Sequence, residues 1–220
     1  MTIIHHPDHA TLLSYAGGSL DEAFATVVSA HLSSCAECRA RVREIEAVGG
    51  ALLATVPASA LSAGAVERLL AQLDRAEVAP LKRAGTRANM AAATLPPTVA
   101  RLIGGSLDDV RWRAAAPGIA THRLPTSSGS NGSLILLKIA PGKKVPEHGH
   151  GGTEMTLILS GSYRDAIGRF APGDVADLDE HVEHQPVVDS DVPCICLVAT
   201  ESPTRFKGFF SRLLQPLVGI

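Results

Sequence analysis

GKKVPEHGHGGTEMTLILSG, residues 142–161, is the run that sets the architecture. His148 and His150 are two residues apart, and alternate residues of a strand point to the same face. Glu154 follows the turn-forming pair Gly151–Gly152 and opens a short apolar strand that ends at Gly161. Two imidazoles and a carboxylate on one inward face make most of a divalent-metal site. Such a set suits iron, manganese, nickel or zinc. An exposed hairpin would rarely place three ligand types at strand parity. The fourth ligand should come from a later strand. DEHVEHQP, residues 179–186, offers His181 and His184, which are three apart, so a regular strand turns only one of them inward.

The surroundings of this run have the same texture. SLILLKIAPGKK, GRFAPGD and PVVDSDVPCICLVAT alternate apolar stretches with turn clusters. That pattern predicts a small antiparallel β-sandwich or barrel from about residue 96. Cys194 and Cys196 share one strand face and read as small, buried core residues. Beyond residue 200, Phe206, Phe209, Phe210, Leu213 and Leu214 recur at helical spacing and predict a short amphipathic helix or tail. Gly208 and Pro216 argue against its use as a membrane anchor.

The first 76 residues read differently. Ser19 and Glu22 fit a capping box, preceded by a short helix with Leu12, Leu13 and Tyr15. Leu20, Phe24, Val27, Val28, His31, Leu32 and Cys35 then recur at helical spacing. A third helix runs from about Glu37, and a fourth carries Val66, Leu69, Leu70 and Leu73 as an apolar stripe flanked by charges. That stripe must find a surface, either within this region or on a partner protein. HLSSCAEC, residues 31–38, holds His31, Cys35 and Cys38. His31 and Cys35 are one helical turn apart, and the two residues before Cys38 let the chain turn back with a second sulfur. Thiolates and imidazole are good zinc ligands, and a closed structural site needs a fourth. His5, His6 and His9 are each placed to supply it.

Composition narrows the function classes. The chain has 220 residues, a net charge of −2 and 4% aromatics. There is no basic excess to neutralise phosphates and no platform for stacking bases, which disfavours direct nucleic-acid binding. No apolar run reaches membrane-spanning length, and MTIIHHPDHA lacks the pattern of a signal peptide, so a cytoplasmic location is expected. AEVAPLKRAGTRANMAAAT, residues 76–94, has no clear periodicity and reads as a linker. The expected division is a helical domain at 1–80, a linker at 81–98, a metal-binding β-domain at 99–200 and a tail at 201–220.

These residues carry a resemblance. G-x5-H-x-H-x3-E-x6-G, from Gly142 to Gly161, is similar to the first cupin motif at every fixed position. Pro172, Gly173 and Asp174 match part of the second motif, but its histidine does not follow closely. The N-terminal H-x3-C-x2-C with an upstream histidine resembles a zinc-binding anti-sigma domain. In this order the two resemble the ChrR family of anti-sigma factors across nearly the whole chain. The resemblance implies an α+β fold: a zinc-bound N-terminal helical bundle followed by a cupin β-barrel. It implies that His6, His31, Cys35 and Cys38 hold Zn2+. It implies that His148, His150, Glu154 and His184 hold Zn2+ or another divalent metal. It further implies that the protein is not an enzyme. Its partner would be an extracytoplasmic-function RNA polymerase sigma factor, held inactive until singlet oxygen or an organic peroxide relieves the block. Val66, Leu69, Leu70 and Leu73 are candidate partner contacts. The competing expectation is a cupin-type metal-dependent dioxygenase or isomerase with a zinc-binding accessory domain.

Overall fold

The computed structural model describes residues 2–75 and 95–202, together with the backbone of 205–206. Most of the expected linker and most of the expected tail lie outside these residues. The described residues fall into two compact units. One comprises residues up to 47 and from 95 onward, and the other lies within 48–94.

The first unit is built on a six-stranded antiparallel sheet. Its order is β1 (Arg113–Ala116), β2 (Ile119–Leu124), β3 (Ser133–Ile139), β10 (Cys194–Thr200), β5 (Glu154–Ser160) and β8 (Val175–Leu178). A second sheet holds β7 (Arg169–Phe170), β6 (Tyr163–Arg164) and β9 (Val187–Val188). A two-stranded ribbon joins β4 (His148–Gly149) to β11 (Arg205–Phe206), so the expected tail helix begins as a strand at Phe206. This is the expected cupin-like β-domain, a sandwich whose ring is not closed among the described residues. The strands that would complete the ring are two residues long, too short to carry the ladder round to the large sheet.

Strand parity sorts the core. Cys194, Cys196 and Val198 of β10, with Ile135 and Ile139 of β3 and Ile158 of β5, pack with Tyr163, Phe170 and Val188 of the small sheet. Glu154 and Thr156 have the parity of Ile158, so the carboxylate belongs to this inner face. The opposite parity, Leu134, Leu136, Met155, Leu157 and Leu197, packs against helices.

That helical layer is the N-terminal segment itself. α1 (His9–Ala16), α2 (Glu22–Leu32) and α3 (Ala36–Thr55) follow one another, and α5 (Pro97–Ile103) leads into the β-domain. Phe24, Val27 and Val28 of α2 join the outer apolar face of the large sheet in one core. Each such side chain contributes about 1.5–3 kcal/mol on full burial. The cap of α2 differs from the expected box. Asp21, not Ser19, accepts from Ala23 N–H at 2.9 Å. Its carboxylate also accepts from Ser130 Oγ and Asn131 N–H, both at 2.8 Å, which ties the helix start to the β2–β3 loop.

The N-terminal strand-like segment is held along β8. Asp174, 2% exposed, accepts from Ile4 N–H at 2.7 Å and His5 N–H at 3.0 Å through one oxygen. Its other oxygen accepts from Ala171 N–H at 2.8 Å. Val175 N–H donates to His5 O at 3.1 Å, and Asp177 accepts from Asp8 N–H and the Thr11 hydroxyl. Gly173 has φ +95, and a Cβ there would meet Ile3 at 2.9 Å.

The second unit contains the end of α3 and α4 (Ala65–Arg75). Val66, Leu69, Leu70 and Leu73 are 54–63% exposed, so no described residue covers this stripe.

Candidate metal centres

The structure gathers both expected ligand sets. His6, His31, Cys35 and Cys38 present ligand atoms all within 4.8 Å of one another, and so do His148, His150, Glu154 and His184.

In the N-terminal group, α2 delivers His31 from its last turn, and α3 begins between the two cysteines. His6 comes from the segment clamped on β8. Its Nδ1 lies 3.4 Å from Cys35 Sγ and 3.3 Å from Cys38 Sγ. His5 instead stacks on Phe170, and His9 begins α1, so of the three candidates only His6 reaches the thiols. His31 Nδ1 sits 2.8 Å from Gly173 O and must donate to it. Its Nε2 is buried without a hydrogen-bonding partner. A buried acceptor beside two thiols is a misfit without a cation and a good fit with one. Burial holds the His31 pKa below its ordinary value, so the ring stays neutral and able to ligate. Burial also pushes the metal-free Cys38 thiol up to about 12, so deprotonation there needs a bound cation.

The cupin group is assembled by backbone pairing. His148 N–H donates to His184 O at 3.2 Å and His184 N–H to His148 O at 3.1 Å, which sets the two residues opposite each other. His181, 82% exposed at its side chain, is left outside, so the fourth member is His184. His148 Nδ1 faces Pro146 O at 2.8 Å, and His184 Nδ1 faces Asp165 Oδ2 at 2.9 Å. Both Nδ1 atoms therefore carry the proton, and the two Nε2 lone pairs face each other at 3.0 Å. Two acceptors at that distance repel unless a cation lies between them. Burial disfavours a proton in that role, since it lowers the His148 pKa. His150 Nε2 is likewise buried without a partner. Glu154 Oε2 is 3.3 Å from His150 Nδ1. Burial works to raise the Glu154 pKa, but the His150 hydrogen bond and the neighbouring imidazoles outweigh it and bring it below the ordinary value. This donor set fits a divalent cation.

Sequence reasoning missed the groups behind the ligands. Asp165 is fully buried at its side chain and receives Ile167 and Gly168 N–H as well as His184. Burial opposes its charge, yet these hydrogen bonds keep its pKa below the usual carboxylate range. Asp165→Asn is expected to lower metal affinity at the cupin group by about 10–100-fold, because the His184 ring loses its charged orienting partner. Competition with a chelator of known affinity measures this, and an unchanged constant would refute it.

Cys194 and Cys196 are buried with Sγ atoms 3.6 Å apart. The mutual hydrogen bond and burial push the Cys196 thiol well above its ordinary value, which suits two packed neutral thiols. Among the described residues, no helix is long and apolar enough to cross a membrane.

Comparison with known proteins gives a consistent placement. The family described as ChrR Cupin-like domain matches residues 101–203. The anti-sigma-E factor ChrR of Cereibacter sphaeroides is 45% identical over the whole of both chains. A crystal structure of Rhodobacter sphaeroides SigE in complex with the anti-sigma ChrR contains a chain with a TM-score of 0.77 and 42% identity. The match covers 90% of this chain and 99% of that one.

Proposed function

Since the chain belongs to the ChrR family of anti-sigma factors, we propose that it binds a sigma factor of RNA polymerase and withholds it from transcription. The observation that carries this reading is the end-to-end match to an anti-sigma factor whose structure is solved together with SigE. The finer reading is that the sigma factor is of the extracytoplasmic-function class. The functional division proposed is residues 1–80 for inhibition and 99–200 for the response. Zn2+ is proposed for His6, His31, Cys35 and Cys38, since two thiolates with two imidazoles favour it. Zn2+ or another divalent ion is proposed for the cupin group.

The stripe on α4 supports a place for the partner. Val66, Leu69, Leu70 and Leu73 lie on one helical face with no cover among the described residues. An amphipathic helix of this kind fits an apolar groove on another protein. Purification of the tagged chain from its host is expected to bring down a sigma factor in equimolar amount. Leu69→Asp with Leu70→Asp is expected to weaken that complex by about 100-fold or more, as for buried interface anchors. Recovery of an unchanged complex would refute the assignment of this face.

We infer further that oxidants, of the singlet-oxygen or organic-peroxide kind, relieve the inhibition through the cupin group. A cluster of buried ligands is not needed to occupy a sigma factor, and its presence suits an input. His148→Ala with Glu154→Ala is then expected to leave target transcription repressed with and without oxidant. Ordinary induction in this variant would place the input elsewhere.

A further inference from the structure

Beside the cupin group lies an unfilled pocket, part of it open to solvent. Ile135, Leu137, Ile139, Val145 and Val198 form its apolar wall. Tyr163 lines the same space, together with His148, Glu154 and His184. The Tyr163 side chain is 2% exposed, and its hydroxyl is buried with no hydrogen-bonding partner. A buried donor left unpaired forfeits the hydrogen bond it would make in water. Its ring is fixed by stacking on Phe170, with centroids 5.0 Å apart, and Phe170 stacks in turn on His5. The ring therefore has little freedom to turn its hydroxyl elsewhere.

We propose that this cavity binds a small, uncharged, mainly apolar molecule through an acceptor oxygen that takes the Tyr163 O–H hydrogen bond. Apolar walls with one placed donor are the usual composition of a small-molecule site. The acceptor oxygen follows from the donor. Burial holds the Tyr163 pKa well above its ordinary value, so the group remains a phenol and donates. The lack of charge follows from the surroundings. The walls are apolar, and the buried carboxylates Glu154 and Asp165 lie close by, so nothing there calls for an anion. Carbonyl, ether and peroxide oxygens on a compact hydrocarbon body meet these terms. The inference goes beyond the sigma-factor reading and does not depend on it, because binding is measured on the chain alone.

The probes are cyclohexanone and cyclohexane, which share a carbon ring and differ in the acceptor oxygen. The full-length, metal-loaded protein is labelled with ring-13C tyrosine. It contains two tyrosines, Tyr15 and Tyr163, so two sets of signals suffice to locate binding. Cyclohexanone is expected to shift the Tyr163 signals saturably and leave those of Tyr15 in place. Cyclohexane is expected to bind about fivefold more weakly, the factor for one lost hydrogen bond. Tyr163→Phe removes the hydroxyl and little volume, so it should abolish the preference while keeping both metals by elemental analysis. In that variant a one-dimensional NMR titration of ring protons at Phe170 reads the binding. Val198→Phe fills the wall and should exclude both probes. If cyclohexanone leaves the Tyr163 signals unmoved up to its solubility, or if Tyr163→Phe retains the preference, the proposal is overturned. Should Val198→Phe fail to fold, the Tyr163→Phe comparison alone decides.

Discussion

Replacing Cys35 and Cys38 together by Ser is expected to remove one of two metal equivalents and to melt α1 and the first turns of α3. The size of the effect follows from what else holds these elements. Leu12 is the only buried residue of α1, and Cys38 and Val42 are the only buried residues described in α3. Neither helix has an apolar face large enough to hold it alone. Structural zinc sites with thiolate ligands contribute about 10–16 kcal/mol of apparent binding energy, and that energy is folding energy where the site does not pre-exist. Helix α2 differs, because Phe24, Val27 and Val28 are packed on the sheet. Hydrogen exchange should therefore accelerate by orders of magnitude in α1 and early α3, and much less in α2. Elemental analysis should still find the cupin metal. A wild-type protein with one metal equivalent, or a double variant whose α1 amides stay protected, would sink this account.

The second large effect is expected at Asp174. One buried carboxylate accepts from three backbone N–H groups, those of Ile4, His5 and Ala171. Hydrogen bonds to a charged acceptor contribute about 1.5–3 kcal/mol each, and stranded donors add to the loss. Asp174→Ala should cost about 3–5 kcal/mol in urea unfolding. The damage should extend to the N-terminal candidate metal group, because His5 precedes its member His6 and Gly173 accepts from its member His31. Metal affinity at that group should fall while affinity at the cupin group changes little. Asp174→Asn keeps one acceptor oxygen and should recover part of both losses. Equal stability in the Ala variant would show that the clamp contributes nothing.

The ligand types were legible because metal chemistry restricts them to few residues at fixed spacing. Period-two parity paired His148 with His150, whereas Glu154 opens a different strand, β5, and joins them only through the fold. Parity could not choose between His181 and His184, and the backbone bridge from His148 to His184 supplies the choice. Nor could proximity in sequence choose among His5, His6 and His9, because the selection is made by contacts with residues some 170 positions away. The helical periodicity of α2 marked a buried face correctly. Periodicity does not say what covers a face, and the cover is the β-sheet as well as other helices. The acceptor roles of Asp165 and Asp174 were invisible for a related reason, although Asp174 is legible as part of a motif. Each sits in a turn, where aspartate is common, and its second role as an acceptor shows only once the chain has closed around it.

The segment Ile4–His5 lies on β8, an edge strand of the large sheet. It is synthesised some 170 residues before the carboxylate that holds it. The candidate ligands His31, Cys35 and Cys38 emerge within a few dozen residues of His6 and can meet it by a short loop closure. The clamp on Asp174 needs a closure about 170 residues long, with a correspondingly higher entropic cost. The N-terminal helices are therefore expected to complete their packing only after the sheet has formed. Until then β8 is an uncovered edge, the kind of surface on which a growing chain pairs with its neighbours. A segment made early acts as the late-arriving guard of a strand made long after it.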